Sequence, residues 1–258
     1  MKKYHFISGL PRSGTTLLSS LLLQNPKIYA SIAGPLNRMA RSIVTEATAE
    51  PGMKYLCSVQ TRKKIIQNVF DTFYEDITDR QIVFDTSRGW TYDLPMIQNL
   101  FPESKVIICV RDLTEILNSF EQLYQRNCFE NSKLSRDDNK NVFTRCEALM
   151  RHDGILGYAY NGLKQALVPA NESKYLLVEY KDLASNPKKI LTKIYDFINE
   201  PHFKHDFNNV KFSFKEYDDD VQIQGLHNIE GKVELKKQET FVPSEILSRV
   251  INSEFWRN

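Results

Sequence analysis

The sequence predicts an α/β protein: one P-loop-like domain over residues 1–258, with a central parallel sheet of four to five strands and helices on both faces. Three observations predict it. Short, almost wholly apolar runs recur along the chain, as strands buried on both faces do. Segments of helical period separate them. The first run leads through "GLPRSGTT" into a leucine-rich stretch, which is the strand, tight loop and helix of a phosphate-binding turn.

The elements follow in that rhythm. "YHFIS" (4–8) is a short strand ending at Gly9, and "TTLLSSLLLQN" is a helix that Pro26 ends. "LNRMARSIVTEATA" and "TRKKIIQNVFDTFYEDI" carry apolar residues at helical spacing, the second with Ile65, Ile66, Val69, Phe70, Phe73 and Ile77. "QIVFD" (81–85) is a second buried strand and "KVIICV" (105–110) a third. Asp112 then caps a helix whose apolar face is Ile116, Leu117, Phe120 and Leu123. The polar tract 127–141 reads as an exposed loop, and a long helical stretch follows it. "KYLLVE" (174–179) is a fourth strand, and Pro187 opens the next helix. Beyond about Pro201 the period weakens. The glycine-punctuated tract 214–237 reads as irregular, and with 127–141 it is expected to frame an acceptor pocket.

Composition narrows the function classes. Lys and Arg number 34 against 32 Asp and Glu, so a formal charge of +2 gives no bulk reason to bind nucleic acid or an anionic membrane, and an anion site must be local. The cysteines Cys57, Cys109, Cys128 and Cys146 form no C-x-x-C pair and have no histidine at metal spacing. Reduced thiols and a cytoplasmic location are therefore expected. Gly9, Pro11 and Arg12 interrupt the apolar N-terminal stretch, which does not read as a signal peptide, and no apolar run is long enough to span a membrane.

Parallel sheets bind ligands beyond the carboxyl ends of their strands. Three predicted strands end there in Arg-, Ser- and Thr-rich loops: "GLPRSGTT", "TSRGW" and "RDLTEILNS". Gly9 and Gly14 have the spacing of a P-loop, but Thr15 stands where its lysine would be. Arg12, Ser13, Thr15 and Thr16 supply a guanidinium fork and hydroxyl donors in its place, at the positive end of the following helix. A kinase-like phosphotransferase would also need a magnesium-binding acid. The strand "KVIICV" has none, which leaves Asp85.

"PRSGTT" after a first strand, with "VRDLTEILNSF" after a later one, resembles the sulfotransferases that use 3′-phosphoadenosine 5′-phosphosulfate (PAPS), nearest their tyrosylprotein-sulfotransferase-like and bacterial branches. The resemblance implies that Arg12, Ser13, Gly14, Thr15 and Thr16 bind the 5′-phosphosulfate and that Arg111 and Ser119 bind the 3′-phosphate. It places Tyr180 of "VEYKDL" on the adenine side, and Gly231 and Lys232 of "HNIEGKV" in a segment closing over the nucleotide. It also implies a metal-free transfer to a hydroxyl or amine of a small-molecule or peptide acceptor. Each residue has a plainer reading as well. Arg111 with Asp112 can be a capping pair, Ser119 can bond to its own helix, Tyr180 can be core, and Lys232 can be solvated.

The match departs from the family in one place. The loop after the second strand often carries a lysine there, with a base two residues on in some branches, whereas "FDTSRGW" offers Thr86 and Arg88. The glutamate of the tyrosylprotein branch falls at Ala33. Arg12 and Arg88 can neutralise a transferring sulfuryl group, but a guanidinium cannot serve as a base. Asp85 is the first candidate base, or else a fixed partner for Arg88 or Arg12. His152 with Asp153, and His227, are alternatives. A nucleotide-binding module without turnover is the reading from another class.

Overall fold

The computed structural model describes residues 2–129, 141–236 and 239–257. Five parallel strands, β1 (Lys3–Gly9), β2 (Ile28–Ala30), β3 (Ile82–Thr86), β4 (Val106–Val110) and β5 (Tyr175–Glu179), form one sheet in the order β2-β3-β1-β4-β5. Four are the predicted strands. The three-residue edge strand β2 is too short to show a period. It is tied in by Thr86, whose amide donates to the Ser31 hydroxyl (2.8 Å) and whose hydroxyl donates to the Ser31 carbonyl (2.6 Å).

The helices in chain order are α1 (Thr15–Leu22), α2 (Leu36–Glu46), α3 (Met53–Leu56), α4 (Val59–Glu75), α5 (Leu94–Leu100), α6 (Leu113–Arg126), α7 (Val142–Met150), α8 (Ile155–Ala166), α9 (Tyr180–Ser185), α10 (Pro187–Ile198), α11 (Lys215–Asp220) and α12 (Ser244–Val250). Asp112 caps α6 by accepting from the Thr114 amide (2.9 Å), as its position predicts. The long helical stretch expected after residue 141 is two helices, broken where Arg151 turns to an extended conformation, and Gly154 in that turn sits so close to the Ala148 carbonyl that no side chain fits between them.

Both faces of the sheet are buried. Tyr4, Phe6, Val83, Ile108 and Val110 pack on one side against α2, α4, α5, α6 and α8, and Ile7, Phe84, Ile107 and Cys109 pack on the other against α1 and α10. Alternate residues of each strand thus enter opposite cores, which accounts for the continuous apolar runs.

The tract after 201 corrects the expectation of irregular chain. β6 (Val210–Phe212) pairs antiparallel with β7 (Ile229–Gly231), α11 lies between them, and the hairpin packs against α1. Its strands are short and polar, so the hydrophobic pattern does not announce them. Of the two predicted loops, 130–140 and 237 lie outside the described residues.

The order of strands places the site. β1 has β3 on one side and β4 on the other, so successive connections leave it in opposite directions and open a crevice at the carboxyl ends. The loops after β1, β3, β4 and β5, carrying Arg12, Arg88, Arg111 and Tyr180, all emerge at that edge.

Candidate active site

The turn after β1 is built on two glycines. Gly9 has φ +125°, and a side chain there would collide with the Cys109 carbonyl oxygen. That oxygen also accepts from the Leu10 amide (2.9 Å) and the Ser13 hydroxyl (3.0 Å). Gly14, φ +91°, lies against the Tyr180 ring, where a Cβ would fall 2.8 Å from a ring carbon. No side chain caps α1, so its first-turn amides, with the exposed parts of Thr15 and Thr16, are left for an anion. The Ser13 hydroxyl is turned inward and also donates to the Leu10 carbonyl (2.5 Å). Only its backbone can face a ligand.

Arg12 joins this turn to two distant segments. It adopts φ +58°, a left-handed conformation that costs a non-glycine residue about 1 to 2 kcal/mol. Its Nε donates to the Ser119 hydroxyl (3.1 Å) and its Nη1 to the Leu226 carbonyl (2.9 Å). Arg111 Nη1 donates to the Arg12 carbonyl (3.0 Å) and its Nε to Glu115 (2.8 Å), and its guanidinium lies over the Tyr180 ring at 4.0 Å. Arg12, Gly14, Arg111, Ser119 and Tyr180 therefore form one connected group. Burial and then the neighbouring Arg111 charge pull the Arg12 pKa down to about 10 against the opposing charges of Tyr180 and Asp218, and Arg12 makes no direct ion pair among the described residues. Two adjacent guanidinium groups, one of them in no direct ion pair among the described residues, make a site that favours an anion.

Arg88 stands on the short turn after β3 with its backbone held. The Ser8 and Thr91 hydroxyls both donate to its carbonyl, at 3.2 and 2.9 Å. Its side chain is exposed but crowded by protein, which lowers its pKa against the opposing influence of Tyr217 and Tyr158. Gly231 ends β7 in a left-handed conformation, and Lys232 beside it is exposed.

Asp85 is not paired with Arg88 or Arg12. It is fully buried and accepts from the Tyr74 hydroxyl (2.5 Å) and from Trp90 Nε1 (2.6 Å), with Gly34 closing the remaining side. Burial raises its pKa to about 6, against the opposing pull of those two hydrogen bonds. A carboxylate so enclosed positions Trp90, and with it the turn bearing Arg88. Asp85→Asn is accordingly expected to lower kcat less than tenfold, by the same factor at every pH above about 7, where Asp85 is ionised, because the amide can keep a bond to each partner. A large loss that eases as pH rises would restore Asp85 as the base. Because the folded state holds this proton more tightly than the unfolded chain, with its ordinary value of 3.8, the associated stability is complete below pH 3.8 and is lost as pH rises through about 6. The wild type should therefore gain about 2 to 3 kcal/mol relative to Asp85→Asn between pH 7 and pH 4, read by urea unfolding.

Of the other candidate bases, His152 is exposed, and Asp153 is spent on Arg151 at 2.6 and 2.9 Å. His227 donates from Nδ1 to Asp218 (2.7 Å), a residue the sequence hides inside a run of three aspartates that reads as a solvated face. Among the described residues, no three His, Cys, Asp or Glu side chains gather as a metal site, and no helix is long and apolar enough to cross a membrane.

In a parallel α/β sheet a glycine turn with converging arginines at the switch point is the place where an anionic ligand binds. The chain belongs to the sulfotransferase family, whose pattern it matches over residues 5–204. Its fold is similar to that of a sulfotransferase from Alicyclobacillus acidocaldarius (16% identity, TM-score 0.53, covering 80% of this chain and 84% of that one). It is similar also to the sulfotransferase domain from the curacin biosynthetic pathway (19% identity, TM-score 0.52, covering 79% and 76%). No curated protein sequence matches it.

Proposed function

We propose that this protein, acting as one catalytic domain, transfers a sulfuryl group from PAPS to a hydroxyl or amine of a small-molecule or peptide acceptor. The observation that carries this reading is the convergence of Arg12, Arg111, Ser119 and Tyr180 on the Gly14 turn. A nucleotide with phosphates at both the 5′ and 3′ positions fits this donor set. Uncapped amides and the Arg12 fork stand at the turn, and Arg111 and Ser119 provide a second anion-binding pair beside it. When bound, PAPS supplies the activated sulfuryl group, while Arg12 and Arg88 supply fixed positive charge where negative charge accumulates. Lys232 on the hairpin closes the nucleotide side. All four cysteines are free, which fits a reducing, cytoplasmic location.

Arg111→Ala is expected to weaken binding of adenosine 3′,5′-bisphosphate (PAP) by about 1.5 to 3 kcal/mol and to leave 5′-AMP nearly unchanged, as measured by calorimetry. Equal losses for the two nucleotides would remove Arg111 from the 3′-phosphate.

A further inference from the structure

The segment from α11 to β7 stands over the phosphate turn and brings one histidine to the two arginines of the site. Asp218, 3% exposed, accepts from the His227 backbone amide (2.9 Å) and from Nδ1 (2.7 Å). An ionised carboxylate can only accept, so Nδ1 carries the ring hydrogen and Nε2 presents its lone pair. Among the described residues Nε2 has no hydrogen-bond partner, and the side chain keeps 14% of its surface exposed. The preceding residue, Leu226, is gripped by Arg12 Nη1 (2.9 Å), and the Tyr217 ring meets the imidazole edge to face at 5.2 Å. The structure thus supplies an oriented imidazole in a chain that has Arg88 and Ala33 at the two positions where the resemblance implies a base.

We propose that His227, oriented by Asp218, is the base that deprotonates a hydroxyl acceptor, a role that rests on the PAPS reading above. His227 Nε2 takes the acceptor O–H proton as the acceptor oxygen bonds to sulfur. The bond from sulfur to the bridging phosphate oxygen breaks, and its electron pair leaves with the 5′-phosphate of PAP. The imidazolium, balanced by Asp218, then returns its proton to water.

The groups facing His227 are Asp218 and Tyr217 from α11, Arg12 from the β1 turn and Arg88 from the β3 turn. Burial lowers its pKa below the ordinary value of 6.5. The bond and charge of Asp218 oppose that, and Arg12 and Arg88 add to it. The ring is therefore neutral at neutral pH, as a base must be.

The test begins without an acceptor. In histidine-labelled protein, with the His227 signal assigned by its loss in His227→Gln, the His227 pKa should rise by about one unit or more on saturation with PAP, whose 5′-phosphate would lie beside it. It should move far less with 3′-AMP, and Asp218→Asn should lower it in the free protein. With phenol as the probe acceptor and PAPS as donor, His227→Gln should lower kcat by about a hundredfold or more, and with 4-nitrophenol, which ionises unaided, by much less. PAP that binds but leaves the His227 titration unmoved, or a phenol rate unchanged by His227→Gln, overturns the proposal while the cofactor reading stands. Failure of PAP to bind at all overturns the cofactor reading, and this proposal with it.

Discussion

Arg88→Ala is expected to lower kcat by about a hundredfold or more while nucleotide affinity falls far less, the scale of losing one preorganised donor from a transition state. The architecture makes this substitution clean. The Arg88 backbone is fixed by the Ser8 and Thr91 hydroxyls, and the turn behind it is fixed by Trp90 bonded to Asp85. Truncating the side chain therefore removes a charge without releasing the loop. Thr86, at the position where relatives often place a lysine, cannot compensate, because its hydroxyl is bonded to the Ser31 carbonyl. Arg88→Lys should recover only part of the rate, since an ammonium lacks the planar fork. A near-normal kcat for Arg88→Ala would move the catalytic charge to Arg12 or Lys232.

The second large effect is on the fold. Gly9→Ala should destabilise the protein by more than about 4 kcal/mol, or prevent folding, because the new methyl group would land on the Cys109 carbonyl within the β1–β4 pairing. That oxygen also anchors the Leu10 amide and the Ser13 hydroxyl, so relaxing the collision means giving up the geometry of the turn. Gly225→Ala separates collision from backbone strain, since Gly225 also has a left-handed φ of +74° but nothing lies within 4 Å of its missing Cβ. This variant should cost only about 1 kcal/mol. Urea midpoints that agree for the two variants would show that the Gly9 contact is not what fixes the turn.

The parts of this molecule that could be read from the sequence are those built from local pattern. Continuous apolar runs give four strands because both faces of the sheet are covered, and Asp112 and Pro187 mark helix starts by chemistry confined to one turn. What the pattern does not carry is pairing across the fold. Arg12 meets Ser119 from 107 residues away, and Tyr74, on α4, donates to Asp85 from a helix whose own period says only that its face is buried. An aspartate at a strand end invites a catalytic reading. Whether it instead orients an indole depends on which side chains close over it, and here Tyr74, Trp90 and Gly34 do so. The β6–β7 hairpin is hidden for a different reason: its strands have three residues each and alternate with polar chain, so too few apolar positions exist to show a period.

The proposed activity requires that two guanidinium groups at the β1–β4 crevice read a nucleotide phosphorylated at both ends. Calorimetric titration in EDTA addresses it directly, with PAP, 5′-AMP and 5′-ADP compared in the same buffer and ATP with magnesium titrated separately. PAP is expected to bind at least about tenfold more tightly than 5′-AMP or 5′-ADP without any metal, the discrimination expected from one charge-assisted contact to the 3′-phosphate. Tighter binding of magnesium ATP than of PAP, or equal affinity for PAP and 5′-AMP, would contradict it.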